Sequence, residues 1–258
     1  MPLLEARDWF IFKTKDGHYF VQKAKGDRCL SVGVIIPAAG QGKRMGMGER
    51  KQFLQFHGQP VIIHTLALFE GLPEVDEIVV VTQEEEIART QKMIEEACIH
   101  KVTCVVSGGK ERQESVYLGL KKIRTDWVMV HDAVRPFVSR EAISRLLKVA
   151  RMHGAAILAV PVKDTVKMVD DAGVVEQTPD RKRLWAVQTP QAFRRDILLS
   201  AHEQFLKWDA MATDDSMLVE EMGIDVRVVE GEYTNIKLTT PDDLFMAEAI
   251  YQMRSKKK

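Results

Sequence analysis

From Val32 onward, two rhythms of apolar and polar residues take turns along the chain. Short apolar runs rich in Val, Ile and Ala stand at 32–37, 77–82, 102–106, 127–131 and 155–160. Such runs are the pattern of strands buried on both faces. Between them, apolar residues recur three and four apart, the spacing of a helix with one buried side. Pro60 suits the first turn of a helix running to about Phe69, with Ile63, Leu66 and Leu68 among its apolar positions. A second helix has an acidic start and reaches about Ala97, and a third carries Val116, Leu120 and Ile123 on one side. The fourth begins at Ser139, an N-capping residue, and stops at Gly154. This alternation predicts an α/β fold, a Rossmann-like, mostly parallel sheet with helices on both faces. Ligands of such sheets lie beyond the carboxyl ends of the strands, here after positions 37, 106 and 131.

The rhythm changes in three places. Residues 1–31 form a separate extension in which Trp9–Phe12 and Tyr19–Val21 flank Asp16-Gly17, a hairpin pattern to which no role is assigned. Residues 162–184 read as a protruding hairpin arm, Thr165–Val169 and Val174–Thr178 around Asp170–Gly173, followed by the charged run Asp180–Arg183. A hairpin of this size needs another surface to rest on. The last part returns to helix and strand. Helices are expected at about 195–207, from Thr213-Asp214-Asp215 to before Gly223, and after Thr240, which opens a capping box with Asp243. Strands are expected at 224–229 and 235–238, and 32–258 is taken as one domain.

Composition sets few limits. In 258 residues, Lys+Arg and Asp+Glu each number 37, so no net field draws the chain to nucleic acid or an anionic membrane. Any basic site must be local. Cys29, Cys98 and Cys104 form no C-x-x-C and read as reduced thiols, and no run reaches membrane-spanning length. A cytoplasmic location is expected.

One stretch concentrates cations. After the first strand, Pro37, Ala38, Ala39, Gly40 and Gly42 lead into Lys43, Arg44, Arg50 and Lys51. Residues this small let backbone N–H groups approach an anion, and four cations within nine residues suit a triphosphate whose charge grows during reaction. A Walker loop is excluded, because Pro37 stands at its first glycine and Arg44 at its Ser/Thr. The dinucleotide fingerprint fails at Met45, its third glycine. Asp132 closes a buried-type strand, so its carboxylate either faces the cleft, for a ribose hydroxyl or Mg²⁺, or pairs with Arg135. His131 is read as structural.

The run PAAGQGKRM followed by KQFL is similar to the nucleotide-binding signature of the cytidylyltransferases acting on 2-C-methyl-D-erythritol 4-phosphate. The likeness continues through SGGKERQESV, VHDAVRPF, AVPVKDT, LWAVQTPQAF, ATDDS and NIKLTTPDDL, in the family's order and over roughly Val32 to the end. It implies transfer of CMP from CTP to the sugar-alcohol phosphate, with Mg²⁺ carried mainly by the triphosphate and Asp132 a possible ligand. It also implies a homodimer through the 162–184 arm. By resemblance Arg44, Lys51, Asp132 and Lys237 are catalytic. Pro37, Ala38, Ala39, Gly40, Gly42 and Lys43 would hold the nucleotide together with Gly109, Lys110, Ser115 and Ala133. Gly108, Gly109 and Ser115 resemble the segment that reads the cytosine edge, with Lys110 where relatives often have an acid. Arg135, Thr165, Arg181, Thr189 and Thr213 would hold the acceptor, Thr165 and Arg181 from the arm. Taken singly, Thr213 reads as a helix N-cap and Thr189 as a strand-end residue. Rival readings are a ribitol 5-phosphate cytidylyltransferase, a non-catalytic nucleotide-binding module and, further off, a Rossmann oxidoreductase.

Overall fold

The computed structural model describes residues 9–13, 19–23, 30–40, 50–208 and 212–255; of 9–13, 19–23 and 207–208 only the backbone is described. Strands β1 (Trp9–Lys13) and β2 (Tyr19–Lys23) pair antiparallel as a two-stranded sheet of their own. The expected turn at Asp16-Gly17 falls outside the described residues. The main body starts at β3 (Val32–Pro37), whose apolar run is buried inside the sheet, next to its central strand. A short antiparallel pair follows, β4 (Gln55–Phe56) and β5 (Gln59–Pro60), turning through His57 and Gly58, both at positive φ. Then come α1 (Val61–Glu70), β6 (Glu77–Thr82), α2 (Ile87–Glu96), β7 (Val102–Ser107), α3 (Arg112–Leu120) and β8 (Trp127–Val130). Pro60 stands one residue before α1, and Ile123 lies beyond the end of α3.

Helix α4 (Arg140–His153) is capped as its sequence predicts. Ser139 Oγ accepts from the Ala142 amide, and Gly154 ends the helix at φ 91°, where a side chain would be strained. Strand β9 (Ala155–Pro161) leads into β10 (Met168–Val169) and β11 (Val175–Gln177), an antiparallel hairpin of exposed residues. Strand β12 (Trp185–Arg194) then enters the main sheet, followed by α5 (Arg195–Trp208), α6 (Asp215–Glu221), β13 (Arg227–Glu230) and α7 (Pro241–Ser255).

The seven-stranded sheet has the order β13-β9-β12-β8-β3-β6-β7. The pairs β3–β6, β6–β7, β3–β8 and β13–β9 are parallel, and β12 runs antiparallel to both its neighbours. Strand alternation divides the core between the sheet's faces. Val34 and Ile36 point to a layer built by α1, α2 and α4, while Ile35 points to the layer of α3, α5 and α6. A third cluster, Leu54, Phe56, Val61, Phe137, Leu238 and Ile250, seats α7 beside the sheet. The fold class is thus the one expected.

Five local expectations are corrected. The sequence marks only a strand end at Thr189, whereas β12 runs on past it, from Trp185 to Arg194. Residues 235–238 are not a strand; there the chain is held by Asn235, whose Nδ2 donates to Thr189 O at 2.9 Å and Gln188 Oε1 at 3.2 Å. The strand expected at 224–229 occupies 227–230. The cap of α6 is Asp214, which accepts from the Met217 amide at 3.0 Å, because a carboxylate satisfies that donor better than the Thr213 hydroxyl does. At α7 the box is half formed. Asp243 Oδ2 takes the Thr240 amide at 2.8 Å, but the Asp243 amide goes to the Thr240 carbonyl.

Candidate active site

A cleft opens at the carboxyl ends of β3 and β8. Pro37, Ala38, Ala39, Gly40, Lys51, Gly109, Lys110, Ser115, Asp132, Ala133 and Lys237 line it, all residues singled out from the sequence. Gln52, Gln83, Arg112 and Val134 also line it and were not, and so does Glu111, which with Glu114 reads from the sequence equally well as a solvated helix charge. Gly42, Lys43 and Arg44 lie outside the described residues.

Lys51 begins a single 3₁₀ turn, Lys51–Phe53. Buried Phe53 anchors that turn beneath the Arg89 guanidinium, and buried Gln52 donates from Nε2 to the Ala38 carbonyl at 2.6 Å. The lysine is therefore fixed against the exit of β3. Arg50 is different. Its guanidinium pairs with Glu85 at 2.6 Å and Glu86 at 3.4 Å, so the expected fourth cation of the loop is met by acids of the chain itself.

The second wall is the turn before α3. A Cβ on Gly108 would lie 2.7 Å from both Ala39 Cβ and Ser115 Oγ, so only glycine lets this turn close on the end of β3. Ser115 Oγ accepts from the Gly109 amide at 3.2 Å and donates to the Glu111 carbonyl at 3.1 Å. The Lys110 amide is taken by Glu114 Oε2 at 2.7 Å, so Glu114 is a loop-closing group and not a free surface charge.

Asp132 sits at the floor among three cations. Lys237 Nζ is 2.8 Å from Oδ2, Arg135 Nε 3.5 Å from Oδ2, and Arg112 Nε 3.5 Å from Oδ1. Its backbone amide donates to Thr189 Oγ1 at 3.0 Å. Burial pushes the Asp132 carboxyl up, but Arg112, Lys237 and Arg135 together outweigh it and hold the group well below the usual carboxylate range. Arg135 is further tied by Nη1 to the Asn235 carbonyl at 2.8 Å. Both readings of Asp132 thus coexist: it pairs with Arg135 and also faces the cleft.

The remaining acceptor candidates are dispersed. Thr189 is buried beneath Asp132, whereas Thr165, Arg181 and Thr213 are exposed and do not line the cleft of their own chain. Arg181 Nη1 donates to the Lys163 carbonyl at 2.8 Å. The missed residue that matters most is Arg112. A cation on the first residue of a helix opposes the helix dipole, and here two acids, Asp132 and Asp215, offset it.

His131 is fully buried, its Nε2 against the Arg135 carbonyl at 2.9 Å and its ring edge-on to Phe69. Burial lowers its pKa to about 4. The unfolded chain takes up a proton near pH 6.5 that the folded chain refuses, so stability present above that pH is lost as pH falls toward about 4. The urea midpoint should accordingly drop between pH 7 and pH 5, by the equivalent of about 2 kcal/mol from this ring alone. A His131→Gln variant should lack that part of the slope, and an unchanged slope would show that the ring is protonated in the folded state.

A family model described as IspD: 2-C-methyl-D-erythritol 4-phosphate cytidylyltransferase matches residues 32–253. The chain is 50% identical over 224 residues to the 2-C-methyl-D-erythritol 4-phosphate cytidylyltransferase of Bacillus velezensis, covering 86% of this chain and 96% of that protein. It is 49% identical over 219 residues to the one from Bacillus pumilus, covering 84% and 95%. Among solved structures, the 4-diphosphocytidyl-2C-methyl-D-erythritol synthase of Anaerococcus prevotii superposes with a TM-score of 0.78 at 33% identity, over 87% of this chain and all of that one. The Thermus thermophilus cytidylyltransferase gives 0.70 at 34% identity, over 86% of this chain and 99% of that one.

Proposed function

The chain belongs to the 2-C-methyl-D-erythritol 4-phosphate cytidylyltransferase family, and from that premise we propose how its cleft divides the work. The reaction transfers CMP from CTP to 2-C-methyl-D-erythritol 4-phosphate, giving 4-diphosphocytidyl-2-C-methyl-D-erythritol and pyrophosphate for isoprenoid precursor biosynthesis. A phosphate oxygen of the acceptor attacks the α-phosphorus of CTP. As that bond forms, the bond to the oxygen bridging the α- and β-phosphorus breaks, and pyrophosphate leaves with the electron pair. No group of the protein need become covalently attached; positioning and charge neutralisation suffice.

The observation that carries the assignment of roles is the shared cleft. The small-residue exit of β3, the Gly109–Ser115 turn and Lys51 face the same space as the Asp132–Lys237 pair. We assign the nucleotide to Pro37–Gly40, Gly42, Lys43, Gly109, Lys110, Ser115 and Ala133. Lys51 and Arg44 neutralise the non-bridging oxygens during transfer, the ammonium as a point charge and the guanidinium as a fork. Asp132 orients the ribose side, and Lys237 with Arg135 receives the acceptor phosphate; Thr189 supports Asp132 from below. Thr213, exposed next to the α6 cap, lies outside the cleft lining, and its place on the acceptor side rests on the family resemblance alone.

No three His, Cys, Asp or Glu side chains cluster as a metal cage among the described residues. Mg²⁺ is ordinarily held by one or two carboxylates together with substrate phosphates, and both Asp132 oxygens already face Lys237, Arg135 and Arg112, so an ion at this cleft would be held mainly by the triphosphate that carries it. Bound there, the ion would neutralise triphosphate charge.

We assign the exposed hairpin to a second subunit. Met168, Val169, Val174 and Val175 are 48–61% exposed, and Trp185 and Val187 continue the apolar surface along β12. Covering such a patch calls for a partner, and pairing of two copies would carry Thr165 and Arg181 to the neighbour's cleft. Arg181→Ala should then raise the KM for the acceptor by about tenfold, the loss of one charge-assisted phosphate contact, with the KM for CTP unchanged. An unaltered acceptor KM would remove the arm from the site. No helix of the described residues is long and apolar enough to cross a membrane, and we place the reaction in the cytoplasm.

A pyrophosphate-release assay with CTP and a panel of polyol phosphates tests the whole reading. Release is expected with methylerythritol phosphate; release with ribitol 5-phosphate instead would reassign the acceptor, and CTP binding without release would make the chain a nucleotide-binding module.

A further inference from the structure

Behind the cleft lies a second buried acid to which the transfer reaction gives no task. Asp215, the first residue of α6, is 1% exposed, and its Oδ2 accepts from Arg112 Nη1 at 2.6 Å. Its Oδ1 lies 3.4 Å from Nε2 of His202 on α5, a fully buried ring stacked near Tyr117 of α3. Arg112 Nε is meanwhile 3.5 Å from Asp132 Oδ1, whose partner oxygen is held by Lys237 at 2.8 Å. The result is a continuous chain of groups, His202, Asp215, Arg112, Asp132 and Lys237, running from the α5–α6 layer to the cleft. A second bond ties the same layers, from the Ala212 amide to Gln113 Oε1 at 3.0 Å.

We propose that Asp215, backed by His202, is a positioning residue of the transfer reaction: it fixes the guanidinium of Arg112 and, through it, the carboxylate of Asp132 beside Lys237. The chemistry lies in the geometry of arginine. Its donors form one rigid plane, so engaging Nη1 at Asp215 dictates where Nε points. Without that anchor the plane can rotate into a two-bond pairing with Asp132, the arrangement free guanidinium and carboxylate groups prefer. Asp132 would then be drawn from Lys237, and the floor of the cleft would change shape with every charge in it still present. An ion pair serving stability alone would be satisfied by either acid. The use of two, one on each side of the cleft wall, gives Arg112 a single orientation.

The test is Asp215→Asn, which keeps the shape and removes the charge. Measured below the variant's own Tm, kcat should fall by about 10- to 100-fold, the effect of misplacing a reacting group by an ångström or so. The KM for CTP should stay within about threefold, since uniform binding is untouched. In a double-mutant cycle Arg112→Lys should add little to Asp215→Asn, because both act through one guanidinium plane. Should Asp215→Asn fail to fold, His202→Phe and Arg112→Lys are measured in the same way and should each lower kcat without raising the KM for CTP. Wild-type kcat per folded molecule, with the loss confined to Tm, would overturn the inference in either set. It rests on Asp132 and Lys237 serving the reaction, so Lys237→Ala is assayed alongside. Normal turnover there would overturn the site reading itself, whereas a slow Lys237→Ala beside a fast Asp215→Asn overturns this inference alone.

Discussion

Replacing Lys51 with alanine should lower kcat/KM for CTP by about 10²- to 10³-fold, the size of effect seen when one preorganised charge-stabilising donor is removed. The fold should hardly notice. Lys51 opens a 3₁₀ turn whose stability comes from its neighbours: Phe53 is 1% exposed, and Gln52 is bonded to the β3 exit. Cutting back a half-buried side chain beside such anchors is worth about 0.5 kcal/mol, or roughly 2 °C in Tm for a chain this long. Lys51→Arg should give an intermediate rate, keeping the charge but moving it. Steady-state kinetics and a thermal melt on the same preparations decide the matter. Normal turnover in Lys51→Ala would mean that charge on the triphosphate is neutralised elsewhere.

Asp132→Ala should act on both stability and rate. The carboxylate is the common partner of Arg112, Arg135 and Lys237. Removing it leaves cations facing one another in a poorly hydrated site, which costs about 3–5 kcal/mol and on the order of 10 °C in Tm. Adding Lys237→Met should recover part of that loss by removing one uncompensated charge; if the double variant is less stable still, the instability does not come from repulsion. The acid limb has a definite sign. Burial raises the Asp132 carboxyl, but Arg112, Lys237 and Arg135 lower it further, so its folded value lies below the unfolded one of about 3.9. Its contribution is present in full above the unfolded value and is lost as pH falls through the lower folded one. Asp215 is shifted the same way, so wild-type stability should drop below about pH 4, and Asp132→Ala should show a shallower drop there.

Most of the sheet is legible in the sequence because strands covered on both faces leave unbroken apolar runs. Val34, Ile35 and Ile36 are all fully buried, and so are Ile78 to Val81. Strand β12 hid because its run, WAVQTPQAFR, is interrupted by Gln188, Pro190 and Gln191. Both glutamines are buried and satisfied out of sight of the local sequence. Gln188 Nε2 donates to the Glu232 carbonyl at 2.9 Å, and Gln191 Nε2 to Asp214 at 2.7 Å. The spurious strand at 235–238 is the converse error. Ile236 and Leu238 alternate with polar residues as a strand would, but they serve the small cluster under α7. For the site, glycines and cations in one loop pointed to the nucleotide. Arg112 was overlooked because its partners are 20 and 103 positions away.

Strand β12 joins two parallel blocks that would otherwise be separate. It bonds to β8 through Gln191–Arg194 and to β9 through Trp185–Val187 and Gln191–Phe193. Excised, it would leave two facing rows of unmatched amides and carbonyls, an invitation to adhesion between molecules. The nucleotide-gripping portion is therefore no detachable cassette: a truncation ending before Trp185 would produce sticky sheet edges instead of a smaller working unit.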